Sequence, residues 1–213
     1  MNGEPSGKLE VEQKFEVGQD FAIPDLHDLG GATQATAPRP AVEMLVARYY
    51  DTDDLRLAAA GLTLRRRTGG RDAGWHLKLP AGADTRREVH APLGSGDEPV
   101  PADLAALARP WAGGRPLRLV ATLQTRRTVW PIRGADGETL AEVADDQVTG
   151  HRETLPASAG HSARAAADLT WREIEVELVA GPPAILAAAA GRLRQCGARP
   201  SGSANKLSRL LDA

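Results

Sequence analysis

Apolar and charged residues alternate strictly between Leu9 and Val17. Glu10, Glu12, Lys14 and Glu16 take one parity; Leu9, Val11, Phe15 and Val17 take the other, with Gln13 among them. Successive side chains of a β-strand point to opposite faces, so this stretch predicts a strand with one apolar and one charged face. The pattern returns near the other end, where Glu173, Glu175 and Glu177 alternate with Arg172, Ile174, Val176 and Leu178. Between them Glu43–Asp51, Leu62–Thr68, Trp75–Leu79, Thr85–Ala91, Leu123–Ile132 and Glu138–Ala144 read as strands, which with Lys8–Val17 and Trp171–Val179 makes eight. Gly69-Gly70-Arg71-Asp72 and Gly134-Ala135-Asp136-Gly137 are turn sequences that make hairpins of their flanking strands. Helices are predicted at Pro24–Gly30, Asp53–Ala60, from Pro101 to Trp111, at Pro183–Cys196 and at Ala204–Leu211, the last capped by Ser203. Residues 1–7 read as a loose tail, Pro156–Asp168 as a mobile loop, and residues 8–213 as a single domain.

Eight strands joined by tight turns, with helices inserted, predict an α+β fold: an eight-stranded antiparallel β-barrel, or tunnel, with its helices packed outside. If the charged parities point inward, two sets of groups share one interior. The anionic set is Glu10, Glu12, Glu142, Asp146, Glu173 and Glu175; the cationic set is Lys14, Arg65, Arg67, Lys78, Arg86 and Arg127. Such groups are rarely buried unless they are paired or hold a ligand. Solvated strand faces, or a network of structural ion pairs, would give the same pattern strand by strand. Over five or more strands together, the pattern points instead to a bound polyanion. Carboxylates can hold a hard divalent cation, and guanidinium forks match phosphate oxygens. His76 shares the parity of Lys78 but is expected at the rim or surface, and Trp75, Trp130 and Trp171 are expected on outward faces.

Composition narrows the field. The 26 basic and 28 acidic residues leave a formal net charge of -2, so no overall field or basic tail favours nucleic acid. A lone cysteine, Cys196, excludes an internal disulfide and is expected as packing in an Ala-rich helix. No apolar run reaches membrane-spanning length and the first ten residues are polar, which predicts a cytoplasmic protein without a membrane partner. Only four basic residues are lysine: Lys8, Lys14, Lys78 and Lys206. A chain that defaults to arginine and keeps lysine at few positions can need a compact point charge there.

These residues resemble the CYTH superfamily, the triphosphate tunnel metalloenzymes. The Glu-x-Glu-x-Lys signature stands at Glu10, Glu12 and Lys14. It is followed by Tyr49-Tyr50-Asp51-Thr52, Leu64-Arg65-Arg66-Arg67, Leu77-Lys78-Leu79-Pro80, Arg86-Arg87-Glu88, Glu173-Ile174-Glu175, and Ser203 with Lys206. The likeness runs from about residue 8 to residue 211. One departure is Thr125, where many members carry a basic residue. Many bacterial relatives also carry a C-terminal helical histidine-rich domain, which is not expected in these 213 residues.

The resemblance implies hydrolysis of a triphosphate with Mg²⁺ or Mn²⁺. Glu10, Glu12, Glu142, Asp146, Glu173 and Glu175 would hold the metal, and Lys14, Arg65, Arg67, Lys78, Arg86, Arg127 and Lys206 the substrate. The signature residues Glu10, Glu12 and Lys14 are the candidate catalytic group. Inorganic tripolyphosphate is the expected substrate, because aromatic residues make up only 4% of the chain and an organic moiety usually wants an aromatic platform. Thiamine triphosphate or nucleotide hydrolysis, ATP cyclisation, and a polyphosphate-binding module with little turnover remain alternatives. A monomer or homodimer is expected. The last helix, hinged at Gly202, is expected to close over the substrate and bring Lys206 to one mouth of the tunnel.

Overall fold

The computed structural model describes residues 8–26, 29, 40–81, 85–94, 99–157 and 163–213, and only the backbone at 8–10, 85 and 86. The expected tail at 1–7 lies outside the described residues, as do 158–162 of the expected loop and most of the helix expected at Pro24–Gly30. Residues 24–26 of that segment are not helical.

The barrel strands are β1 (Lys8–Glu16), β2 (Ala41–Asp51), β3 (Thr63–Thr68), β4 (Gly74–Pro80), β5 (Thr85–Ala91), β6 (Arg118–Arg133), β7 (Thr139–Arg152) and β8 (Ala167–Leu178). They neighbour one another in the order β5-β4-β3-β2-β6-β7-β8-β1, every pair antiparallel. Lys8–Val11 of β1 pair in turn with Thr85–Glu88 of β5, which brings the ladder back to its start. A two-residue β9 (Arg199–Pro200) pairs with the end of β1. Strands β6 and β7 run longer than their apolar periodicity predicts: β6 begins at Arg118 and β7 continues to Arg152, the two pairing across Leu123↔Gly150.

The apolar parity points outward and packs under helices. Phe15, Val143, Ile174 and Val176 pack beneath α3 (Pro183–Gln195), against Ile185, Leu186, Ala189 and Leu193. Leu64, Trp75, Leu77 and Val89 pack beneath α1 (Arg56–Ala59) and α2 (Ala102–Ala112), against Leu57, Leu104 and Ala108. The sides of the barrel thus behave as an ordinary sheet-on-helix core turned inside out.

One end of the interior is apolar too. The helix α4 (Lys206–Leu211) packs Leu207, Leu210 and Leu211 against Ala47, Tyr49, Leu123, Val148 and Trp171. Ala47, Tyr49 and Leu123 also line the central cavity, so α4 plugs that end. Burying three leucines is worth roughly 1.5–3 kcal/mol each, enough to hold a six-residue helix with little stability of its own. Gly150 of β7 permits the approach, since a Cβ there would sit 2.9 Å from a methyl of Leu210.

Three expectations are corrected. Asn205, not Ser203, caps α4: its side chain accepts from the Ser208 N–H, and the Ser208 hydroxyl reaches back toward the Asn205 backbone. Trp171 does not face outward. It shares the parity of Glu173, and its indole N–H donates to Glu173 Oε2 at 2.6 Å. Cys196 is exposed just beyond the end of α3 rather than packed in a core. Among the described residues, no helix is long and apolar enough to cross a membrane.

Candidate functional site: a charged tunnel

The barrel encloses a cavity of about 440 Å³. Its walls carry the charged parities: Glu12 and Lys14 from β1, Glu43 from β2, Arg65 and Arg67 from β3, and Lys78 from β4. Glu88 comes from β5, Thr125 and Arg127 from β6, Glu142 from β7, and Glu175 and Glu177 from β8. Lys14, Lys78 and Lys206, three of the four lysines, line it. The side chains of Glu10 and Arg86 lie outside the described residues; their backbones face each other across the β1–β5 ladder.

The acidic residues are concentrated on β7 and β8. On β7 and β8, Asp146 is opposite Glu173 and Glu142 opposite Glu177, with Glu175 between them opposite Ala144. Like charges directly opposite on neighbouring strands are destabilising, so this wall requires cations. Three are supplied. Arg127, opposite Asp146 on β6, donates to both of its oxygens at 2.8 and 2.6 Å and to Glu175 Oε2 at 2.5 Å. Lys14 lies 3.8 Å from Glu175 and 2.7 Å from Glu12. Lys206 reaches in from the first turn of α4, its Nζ 2.8 Å from Asp146, 2.7 Å from Glu173 and 2.7 Å from Glu175. The Asn205 capping box fixes the start of α4, and so aims the adjacent Lys206 inward.

The electrostatics follow. Burial alone would raise the Glu175 pKa, but Lys206, Arg127 and Lys14 hold it well below the usual carboxylate range. Burial alone would lower the Lys206 pKa, but Asp146, Glu175 and Glu173 hold it well above the usual lysine range. Arg127 is likewise held well above its ordinary value by Asp146 and Glu175, against burial.

Asp146, Glu173 and Glu175 can each place an oxygen within 4.8 Å of the others. This all-oxygen donor set suits Mg²⁺ or Mn²⁺ rather than a thiophilic metal. The Lys206 ammonium already occupies the point where the three carboxylates converge, so the protein itself places a cation there. Glu173 Oε1, buried, makes only that ionic contact and accepts no hydrogen bond among the described residues. The residues therefore fit a divalent ion. Of the other expected ligands, Glu12 is paired with Lys14, and Glu142 is held by Arg71 at 3.0 Å, apart from the triad.

The opposite wall carries Arg65, Arg67 and Lys78, with Asp72 and Glu88 among them. Arg65 has a buried Nε that finds no acceptor among the described residues. Arg67 donates to the Asp72 carbonyl at 3.0 and 3.1 Å and to its carboxylate. Lys78 lies 3.9 Å from Glu88. Thr125, where a basic residue was the family expectation, is buried in the wall, so no charge enters from that position. His76 is not at the rim. It is 1% exposed, with Nδ1 2.9 Å from Glu88 Oε1. Lys206 enters from the end that α4 plugs and points inward among the carboxylates.

Glu43, Arg71, Asp72 and Glu177 are not among the expected site residues, though all four line the cavity, as does Glu88 of the Arg86-Arg87-Glu88 motif. Glu43, Glu88 and Glu177 share the inward parity of their strands and were findable. Arg71 and Asp72 sit in the β3–β4 turn, where periodicity carries no signal.

Comparison with known proteins agrees with this geometry. The CYTH domain model matches residues 8–207. The chain belongs to the CYTH family. Two proteins described as uncharacterized, one from each of two strains of Mycobacterium tuberculosis, are 39% identical over 98% of this chain. The chain spans about 41% of the length of these relatives. The fold is shared with a candidate adenylate cyclase of Bacillus halodurans (TM-score 0.61, 20% identity, covering 95% of this chain and 97% of that one). It is shared too with a candidate adenylyl cyclase of Hippeastrum described as having a dominant triphosphatase activity (TM-score 0.54, 16% identity, 95% of each chain).

Proposed function

We propose that this CYTH protein hydrolyses the terminal phosphoanhydride of a triphosphate with Mg²⁺ or Mn²⁺, and that its substrate is inorganic tripolyphosphate. The observation that carries the reading is the convergence of Asp146, Glu173 and Glu175 on one cation position, across the cavity from Arg65, Arg67 and Lys78. A pure anion binder has use for the cations but not for buried carboxylates that repel phosphate. A divalent ion held by the triad would supply charge neutralisation and a water of lowered pKa.

The chain's own residues do the rest. Arg65, with an unsatisfied buried Nε, takes phosphate oxygens, and Arg67 and Lys78 lie on the same wall. Arg86 on β5 and Lys14 on β1 are assigned to the same grip. Arg127 spans the two walls: it orients Asp146 and Glu175 while presenting positive charge to the cavity. Lys206 orients the triad before the ion enters and, displaced by it, would neutralise a phosphate oxygen. Glu10 and Glu12 are assigned to the metal beside the triad. The plug of Leu207, Leu210 and Leu211 closes one end and limits water. Tyr49 is the single aromatic side chain among the described lining residues, which offer no broad platform to a base or a thiazole.

The test is a panel of tripolyphosphate, thiamine triphosphate, ATP and pyrophosphate, each with Mg²⁺ and with Mn²⁺. Release of one phosphate per tripolyphosphate, at a kcat/KM above that for the organic triphosphates, is expected. Cyclic AMP formation from ATP, or tight binding without turnover, would refute it.

A further inference from the structure

A second group of metal-type donors lies in the same barrel wall, away from the carboxylate triad. His76 on β4 and His90 on β5 are direct cross-strand partners, their rings edge to face with centroids 4.9 Å apart. Asp72, from the turn before β4, offers an oxygen; one donor atom from each of the three can lie within 4.8 Å of the others. The His90 ring is seated closely over Gly74, where a Cβ would stand 2.1 Å from His90 Nε2, so the glycine leaves the space that the imidazole nitrogen occupies.

The contacts of His76 point to a cation. Its Nδ1 lies 2.9 Å from Glu88 Oε1 and its Nε2 3.1 Å from the Asp72 carbonyl oxygen. A neutral imidazole has one ring proton and can donate to only one of them. The other nitrogen then turns its lone pair toward an oxygen lone pair, which a second proton or a metal ion must relieve. A carboxylate on Nδ1 with Nε2 aimed at other donors is the usual arrangement that orients a metal-binding histidine.

We propose that His76, His90 and Asp72 bind a borderline divalent transition metal, Zn²⁺ in the first instance, at a site separate from the hard-cation triad. Two imidazole nitrogens and one carboxylate oxygen are the donors such ions prefer to Mg²⁺, and they leave one coordination position open. Arg67 already holds one Asp72 oxygen, which fixes the carboxylate but leaves a positive charge nearby. The site is accordingly weaker than a closed four-ligand structural zinc site. An ion there would clamp the β3–β4 turn to β5 and add charge to the wall carrying Arg65 and Lys78. The inference does not depend on what the tunnel hydrolyses.

The test uses the full chain, stripped with chelator and then titrated with Zn²⁺ or Co²⁺ in excess Mg²⁺. Wild type is expected to bind one equivalent that Mg²⁺ does not displace, with the intense visible bands of four-coordinate Co²⁺. Because His90 is exposed, His90→Ala should fold normally; it is expected to weaken this binding at least tenfold, while Glu173→Gln keeps it. Equal affinity in wild type and His90→Ala, full displacement by Mg²⁺, or loss in Glu173→Gln instead would each overturn the proposal.

Discussion

Replacing Lys206 by methionine removes a cation from the centre of three carboxylates and leaves the apolar stem. In the wild-type protein Nζ lies within 2.8 Å of Asp146, Glu173 and Glu175. Asp146 is fully buried and Glu173 is 3% exposed, so solvent can replace little of what is lost. Removing one partner of a buried ion pair costs about 3–5 kcal/mol, because the remaining charge is left uncompensated. Arg127 and Lys14 still partly neutralise the group, which favours the lower end. For a chain of this size that corresponds to a fall in Tm of about 6–20 °C. The same substitution should sharpen the response to metal, since an ion no longer competes with an ammonium for the same oxygens. Calorimetric melts in chelator and across a Mn²⁺ titration measure both effects. The expected result is a variant much less stable than wild type in chelator, a gap that narrows as Mn²⁺ is added, and tighter Mn²⁺ binding by titration calorimetry. Lys206→Arg should behave closer to wild type in chelator. If Lys206→Met melts with wild type in chelator and Mn²⁺ raises both equally, Lys206 is not the internal counter-ion, and the triad is not the metal site.

Two further outcomes are expected. Arg65→Ala should cost about 1.5–3 kcal/mol of transition-state binding, the value of a charge-assisted contact to phosphate, or roughly 10- to 150-fold in kcat/KM; unchanged steady-state constants would remove Arg65 from the grip. Glu175 contributes stability that is present above its unfolded pKa, near 4.5, and lost as the pH falls below that toward its depressed folded value, because the unfolded chain binds the proton first. Urea melts between pH 6 and pH 3 should therefore show a shallower acid decline in Glu175→Gln than in wild type, and parallel declines would contradict the assignment.

The barrel was legible because the two parities of each strand were so unlike. In Leu64 to Arg67 and in Glu173 to Val176, the alternation points inward the residues that line the cavity, Arg65, Arg67 and Glu175. The signal failed where the interior changes character. At the plugged end Trp171 keeps the inward parity of Glu173 but meets leucines of α4, and an aromatic beside a charge invites an outward reading. The cap of α4 was misplaced for a similar reason: Ser203 and Asn205 are both capping residues, and only the reciprocal bond with Ser208 selects Asn205. His76 looked peripheral because no periodicity shows that Glu88 and Asp72 close over it.

The register also separates what holds the fold from what the site is for. Carboxylates stand opposite one another on β7 and β8, although apolar residues at those positions would pack without needing compensating cations. Asp145, of opposite parity to Asp146, makes the contrasting case. It forms a two-toothed pair with Arg172 on the outer face, at 2.8 Å on both arms, and that arginine also holds the Gln19 carbonyl; this is a structural clamp with both charges satisfied. Adjacent aspartates thus serve different ends, one tying a loop to the barrel and the other maintaining a charged interior at a cost. Because the apolar parity outside carries the packing, the interior is free to keep charges that stability alone would not retain.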